Sequence, residues 1–296
     1  MRIVSLLPSA TEIVFALGLG DQVVGVTFEC DYPPAARTSR IVSNTAMPEG
    51  LTPAEIDRVV KERMAAGEDL YRLERDALAD LAPDLVVTQD LCQVCAVATS
   101  SVDEALDVLG IDADVLTLDP ARLDDVIDSI ATVAAATGTE HTAIELCASL
   151  RRRLDDLAQR LEGVVRPRVA VLEWTAPPFA SGHWVPDLVT AAGGDEVLGV
   201  PGGRSVEVTW GELATAAPEI VIVAPCGYRL DGATELAEAM VAEGTLPGDA
   251  AVWAVDADAF VVRPGPRVVD GAEMFASLFH PDRGLPVDSA RARRIR

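Results

Sequence analysis

Short apolar runs rich in β-branched residues recur along the chain at Ile3–Leu7, Val23–Val26, Leu85–Thr88, Val169–Leu172, Ile220–Val223, Val252–Val255 and Phe260–Val262. Their length and composition predict strands. Between them lie stretches whose apolar residues recur three and four apart, the helical period. Four such stretches have capping-box spacing beside them: Ser9-x-x-Glu12, Thr52-Pro53-x-Glu55, Ser101-x-x-Glu104 and Thr209-x-x-Glu212. Strand and helix alternate, which predicts an α/β protein with mainly parallel sheets.

The two halves echo each other. Leu19-Gly-Asp-Gln-Val-Val-Gly-Val26 is matched by Gly193-Gly-Asp-Glu-Val-Leu-Gly-Val200. Ala82-Pro83-Asp84-Leu85-Val86-Val87 is matched by Ala217-Pro218-Glu219-Ile220-Val221-Ile222. Such repetition predicts two related lobes of one architecture. Between them, Ala143, Cys147, Leu150, Leu154, Leu157 and Leu161 mark one face of a helix over 139–162, with Thr139 placed to cap it and Gly163 and Pro167 to end it. A helix of that length spans about 36 Å. It makes a stiff strut rather than the Gly/Ser/Pro linker of a flexible joint. The expected organisation is an N-terminal α/β lobe over 1–137, a backbone helix over 138–164 and a C-terminal α/β lobe over 165–296.

Composition narrows the function classes. The 296 residues are 49% hydrophobic and 24% charged, with 22 Gly and 19 Pro, which excludes a disordered, collagen-like or coiled-coil chain. Acidic residues outnumber basic ones 47 to 24, for a net charge of −23. That surface repels phosphate backbones and anionic lipid, so neither nucleic acid nor a membrane surface is an expected partner. Lys61 is the single lysine among those basic residues. No apolar run reaches the ~20 residues a bilayer crossing needs. Ile3–Leu7 is too short for a secretory apolar core and reads as the first strand, so the expectation for the sequence as it stands is cytoplasmic. Five cysteines in a reducing compartment point to metal ligands, redox thiols or packing rather than a disulfide framework. Glycine-rich dinucleotide and P-loop motifs, Gly-x-Ser-x-Gly and His-Glu-x-x-His are all absent from the sequence.

Ser5-Leu6-Leu7-Pro8-Ser9-Ala10-Thr11-Glu12, Asp31-Tyr32-Pro33 and Ala82–Val87 resemble the first lobe of the vitamin B12- and iron-siderophore-binding proteins of ABC importers. Trp174-Thr-Ala-Pro-Pro-Phe-Ala-Ser-Gly182 and Arg263-Pro-Gly-Pro-Arg267 resemble the second. The resemblance implies two Rossmann-like lobes on one rigid helix, the helical-backbone or class III periplasmic-binding-protein fold. It also implies a ligand cleft between the lobes that closes little on binding. Residues 45–72 look like an insertion relative to that family, with an extra helix from Pro53 to about Ala65. The family's two importer-docking glutamates align with Asp76 and Gly211, one shortened and one missing beside Glu212. That departure argues against docking to a permease.

The same resemblance places the candidate binding residues. Pro8, Ser9, Tyr32, Trp174, His183, Trp184, Arg263 and Arg267 fall in or beside segments that face ligand in the family. The aromatic faces suit a macrocycle or stacked ring, and the arginines suit carboxylate or phosphate groups. For the tryptophans the alternative is lobe packing, and for the arginines an ion pair with neighbouring carboxylates. His183, before a helix, is read as a metal ligand, an axial ligand to a corrinoid or a plain helix-start residue. His141 and His280 are expected in solvent, and Cys147 in the apolar stripe of the long helix.

Cys92-x-x-Cys95 follows the strand 85–88, and Cys30 and Cys226 also follow strands, at the ends where open α/β sheets bind ligands. With the lobes arranged as in the family, the four thiols share the rim of one cleft, a set able to hold Zn or an iron–sulfur cluster. A redox dithiol at Cys92 and Cys95 is the alternative, and packing is the other reading for Cys30 and Cys226.

These readings converge on a non-catalytic binding protein for a small-molecule or metal-complex ligand. The ligand is a corrinoid, an iron complex, or a metal or cluster held by cysteines. A cytoplasmic enzyme or redox protein using the cysteine-lined cleft is one alternative. An importer component whose true start lies upstream, and which is therefore periplasmic or extracellular, is the other.

Overall fold

The computed structural model describes residues 1–90 and 97–296. The chain divides into two compact units, one of residues Met1–Pro120 and Ile127–Cys147, the other of Ala121–Val126 and Ala148–Arg296.

The first unit contains β1 (Ile3–Ser5), α1 (Pro8–Ala16), β2 (Val23–Thr27), β3 (Arg40–Thr45), α2 (Pro53–Ala66), β4 (Tyr71–Leu73), α3 (Arg75–Leu81), β5 (Leu85–Thr88), α4 (Thr99–Leu109) and β6 (Asp114–Thr117). α5 (Leu123–Thr137) and α6 (Glu140–Arg160) follow, each contributing residues to both units. Among the described residues the strands form one six-stranded sheet in the order β4-β3-β2-β1-β5-β6, parallel except for β4. Val4, Leu6, Val42, Val86, Leu78, Val102 and Ala105 pack together on one face.

The second unit contains β7 (Arg168–Thr175), β8 (Pro178–Ala180), α7 (Val185–Ala191), β9 (Asp195–Glu196), β10 (Val206–Glu207), α8 (Trp210–Thr215), β11 (Ile220–Val223), α9 (Leu230–Glu243), β12 (Ala251–Val255), α10 (Ala257–Phe260), α11 (Val268–Phe279) and β13 (Ala292–Arg294). Its sheet runs β10-β8-β7-β11-β12-β13, with β9 beside β7. β9, β7, β11 and β12 pair in parallel; β8 and β13 run against them, and β10 pairs antiparallel with β8.

The internal repeat has a hydrogen-bonding basis. In the first unit the Arg2 amide donates to the Asp84 carboxylate (2.6 Å) and the Arg2 carbonyl accepts from the Asp84 amide (2.8 Å). In the second, the Arg168 amide donates to the Glu219 carboxylate (2.8 Å) and its carbonyl accepts from the Glu219 amide (2.8 Å). Ala82 and Ala217, one residue before the Pro of each copy, both adopt positive φ, at 41° and 44°. One short motif thus ends a helix, reverses the chain and starts a central strand in each unit.

Several local expectations change. Capping boxes form at Thr52–Glu55 and Thr209–Glu212. At Ser9 and Ser101 they do not. α1 starts at Pro8 with Leu7 as its cap, and α4 starts at Thr99 with Ala98 as its cap, so both serines lie inside the first turn. In α1 the proline at N1 outranks the serine because its missing N–H and fixed φ suit that position. Phe260–Val262 is not a strand: Asp256 caps the short α10 there. His280 is buried rather than solvated, with Nε2 3.1 Å from the Gly193 carbonyl oxygen. The exposed His141 faces Glu145 one helical turn on, and Cys147 is buried on the α6 stripe. None of the described helices is long and apolar enough to cross a membrane.

Candidate functional site

In each unit, the loops leaving the carboxyl ends of the central parallel strands carry most of the residues singled out by the sequence, the edge at which open α/β sheets bind ligands. In the first unit these are the loops after β1, β2 and β5. Pro8 is half-buried at the first position of α1, and Ser9 behind it is buried. Ser9 therefore offers little surface to a ligand. Thr11 donates to Ser5 Oγ (2.8 Å), and its hydroxyl lies 3.0 Å from Cys30 Sγ, so the Cys30 thiol sits in a buried network under the β1 and β2 ends. Tyr32, two residues on, is 44% exposed, and Phe28 is 39% exposed. Phe28 also stands against the Tyr71 ring, with centroids 6.3 Å apart. Cys92 and Cys95 lie outside the described residues.

In the second unit, β7, β11 and β12 deliver three adjacent loops. Trp174, at the end of β7, packs edge-on against Tyr228 from the β11 loop, with ring centroids 5.9 Å apart. The Trp174 Nε1 donor is buried without a hydrogen-bond partner. Burial pushes the Tyr228 phenol above its usual range. Cys226 is half-buried and its amide donates to the Glu173 carbonyl oxygen (3.0 Å). In the β12 loop, Asp258 accepts from the Gly227 amide (3.0 Å) and pairs with Arg263 at 3.3 Å. Both partners of that pair are mostly buried, so the ion-pair reading of Arg263 holds in the resting site. Burial is the main cause raising the carboxyl pKa of Asp256, reinforced by Asp258 and opposed by the Ala259 amide and by Arg229 and Arg267. Arg267 and Arg291 both stand over the Phe260 ring, 5.7 and 4.6 Å from its centroid. The result is a rim of aromatic and guanidinium groups with carboxylates beneath it.

His183 and Trp184 separate in role. Trp184 is buried, and its Nε1 donates to the Val261 carbonyl oxygen (2.7 Å), the packing role that was the alternative for this residue. Only tertiary packing brings residue 261 to it. His183 is half-buried, adopts φ 49°, and holds Nε2 shielded from solvent without a hydrogen-bond partner. Burial first, and the positive charge of Arg204 second, lower its pKa, so the ring is neutral at neutral pH. Beside it, Gly182 donates to Glu173 Oε1 (2.9 Å), and Ser181 Oγ donates to the buried carboxyl of Glu196 (3.0 Å). The buried Glu173 and the half-buried Glu196, which fix this loop, were not singled out from sequence, where they read as ordinary strand residues.

Among the described residues no group of three or more His, Cys, Asp or Glu side chains is placed to hold a metal ion. The Cys30 thiol is already engaged with Thr11.

The chain belongs to the periplasmic binding protein family, whose profile matches residues 3–252. It is 26% identical over 298 residues to the ABC transporter substrate-binding lipoprotein YvrC of Bacillus subtilis, covering 95% of this chain and 80% of that protein. It is 24% identical over 274 residues to the vitamin B12-binding protein of Vibrio cholerae, covering 92% of this chain and 86% of that one. Its fold matches the crystal structure of a periplasmic heme-binding protein from Pseudomonas aeruginosa with a TM-score of 0.74 at 18% identity, across 99% of this chain and 97% of the other.

Proposed function

We propose that this protein is the extracytoplasmic substrate-binding component of an ABC importer, and that its cargo is a flat metal-bearing macrocycle, with a corrinoid first and heme second. The observation that carries the reading is the similarity to a vitamin B12-binding protein along 92% of the chain. The accessible Tyr32 and the partly buried Trp174, whose indole N–H lacks a partner, support a ring-shaped cargo with hydrogen-bond acceptors at its edge. Arg267, and Arg263 if it exchanges Asp258 for ligand, would meet carboxylate or phosphate groups on that edge. His183, neutral and lacking a partner at Nε2, is the candidate nitrogen donor to the cargo metal.

Two expectations change with the relatives. The cytoplasmic assignment gives way, because the relatives are periplasmic proteins and a lipoprotein. The argument against a permease gives way too, since YvrC and its kind are ABC transporter components. Asp76 is exposed in the first turn of α3, available for docking, whereas Glu212 is held by its own capping box with Thr209.

The test is titration of the purified chain with cyanocobalamin and, separately, with hemin, followed by calorimetry and visible spectra. Saturable one-to-one uptake of either supports the reading. No heat and no spectral change with both excludes a macrocyclic cargo.

A second reading rests on Cys92-x-x-Cys95 after β5: with Cys30 and Cys226 it would hold Zn or an iron–sulfur cluster. Metal analysis of protein purified without oxygen, compared with a variant carrying Cys92→Ser and Cys95→Ser, decides it. Equal metal content in the two would eliminate this reading.

A further inference from the structure

Asp258 joins two of the three loops at the carboxyl edge of the second unit's sheet. One carboxylate oxygen accepts from the Gly227 amide in the loop after β11 (3.0 Å), and the other accepts from Arg263 in the loop after β12 (3.3 Å). The Asp258 amide donates in turn to the Tyr228 carbonyl oxygen (3.3 Å). Tyr228 packs on Trp174, and so close to Gly232 that a Cβ there would come within 2.8 Å of its ring. The Arg263 carbonyl accepts from the Gly265 amide (2.8 Å), and proline follows Arg263 directly, so that loop is stiff as well. One acid therefore ties an aromatic ring and a guanidinium into the same rim.

The two contacts of this carboxylate differ in quality. The bond from Gly227 has an ordinary N–H···O length. The contact with Arg263 is long, since charge-assisted pairs close to about 2.7–2.9 Å. In the same unit, Arg122 meets Asp187 and Arg153 meets Asp270 at 2.7 Å. The Asp258 and Arg263 side chains are nevertheless only 15% and 13% exposed, so both charges have lost most of their water. A desolvated pair in loose geometry recovers little of that cost unless further hydrogen bonds complete it. A carboxylate has about four acceptor sites, and Gly227 and Arg263 take one on each oxygen. Asp258 thus keeps the capacity to accept from a further donor beside the Arg263 N–H groups.

A primary carboxamide completes such a pair, because it carries an acceptor oxygen and donor N–H groups side by side. We propose that Asp258 makes this rim selective for carboxamide over carboxylate edges of the cargo. Arg263 donates to the amide oxygen, and Asp258 accepts from the amide N–H. A cargo carboxylate offers no donor to Asp258 and meets Arg263 only against the Asp258 charge, at a site mostly out of water. The inference rests on the proposed function, and it deepens it: a corrin ring carries carboxamides at its edge, whereas heme carries carboxylates.

Paired ligands on one macrocycle test the selectivity by calorimetry and visible titration of the full chain. Hemin whose carboxylates have been converted to primary carboxamides should bind about tenfold more tightly than hemin itself. Equal or tighter binding of hemin would overturn the inference and leave the cargo assignment standing. Absence of binding by cyanocobalamin, hemin and the carboxamide would remove the cargo assignment and the inference with it. Asp258→Asn supplies the second arm. Asparagine keeps an acceptor for the Gly227 amide and the size of the side chain, and removes the charge. The preference for the carboxamide should then shrink about tenfold, with the circular dichroism spectrum unchanged. A merely structural role would lower both affinities by the same factor, and an unchanged ratio in the folded variant would overturn the inference.

Discussion

At the scale of single residues, His183 stands out because its backbone is held at positive φ by hydrogen bonds with Gly202 and Gly203 while its ring nitrogen Nε2 is left without a partner. The described residues include three non-glycine positions with positive φ, and two of them, Ala82 and Ala217, are the repeated turn before proline. His183 is the third, and it adds a buried nitrogen without a partner. Strain of this kind persists where a function requires the side chain. Replacing His183 by Gly should therefore raise stability relative to His183→Ala by about 1 kcal/mol, because glycine accepts this φ and alanine does not. Urea midpoints of the two variants measure it. Glu196 gives a different prediction. Its carboxyl accepts from Ser181 Oγ and from the Leu198 and Gly199 amides (3.1 Å each), yet burial dominates and raises its pKa. The folded state thus binds the proton more tightly than the unfolded one. The stabilisation is fully present below the unfolded value of about 4.5 and is lost as pH rises through the higher folded value. Melting curves from pH 4 to pH 8 should show the Glu196→Gln variant gaining on the parent as pH rises. A constant difference would contradict the burial argument.

At the scale of elements, the loops of the second unit are located by close approach rather than by side-chain bulk. α11 passes so near the end of α10 that a Cβ on Gly271 would meet the Phe260 carbonyl oxygen. Gly271→Ala should force the two apart, cost about 1–3 kcal/mol and displace the Asp256–Arg267 rim. The denaturant midpoint reads the first effect. Arg267 accessibility to a guanidine-modifying reagent reads the second. Element boundaries were legible where the chain carries its own signals. Both formed capping boxes, the extra helix near Pro53, the long helix across 140–160 and the Ala-Pro repeat all depend on neighbours within a few residues. Phe260–Val262 has no such signal, because three apolar residues suit a strand equally well. What placed them in a helix end and turn was the Asp256 cap and the close passage of α11.

At the scale of the whole molecule, the net charge of −23 dominates. Repulsion among carboxylates opposes the compact state, and salt screens it: the Debye length falls from ~30 Å at ~0.01 M to ~3 Å at ~1 M. The melting midpoint should therefore rise with sodium chloride over that range. A flat or falling response would mean that local pairs such as Arg153 with Asp270 and Glu273, each at 2.7 Å, outweigh the general repulsion. The sequence by itself determined the α/β class, the doubling of the architecture and the long connecting helix, because hydrophobic period, caps and repeated turns act within a few residues. It also determined which loops follow the central strands, because strand ends are marked by the apolar runs themselves. Tertiary structure alone decided which side chains in those loops remain available. Trp184 is committed to the carbonyl of Val261, Arg263 to Asp258 and His280 to Gly193, whereas Tyr32 stays accessible and His183 Nε2 unpaired. Each outcome depends on a partner distant in sequence or on enclosure by the fold, and neither is encoded in the few residues around the side chain.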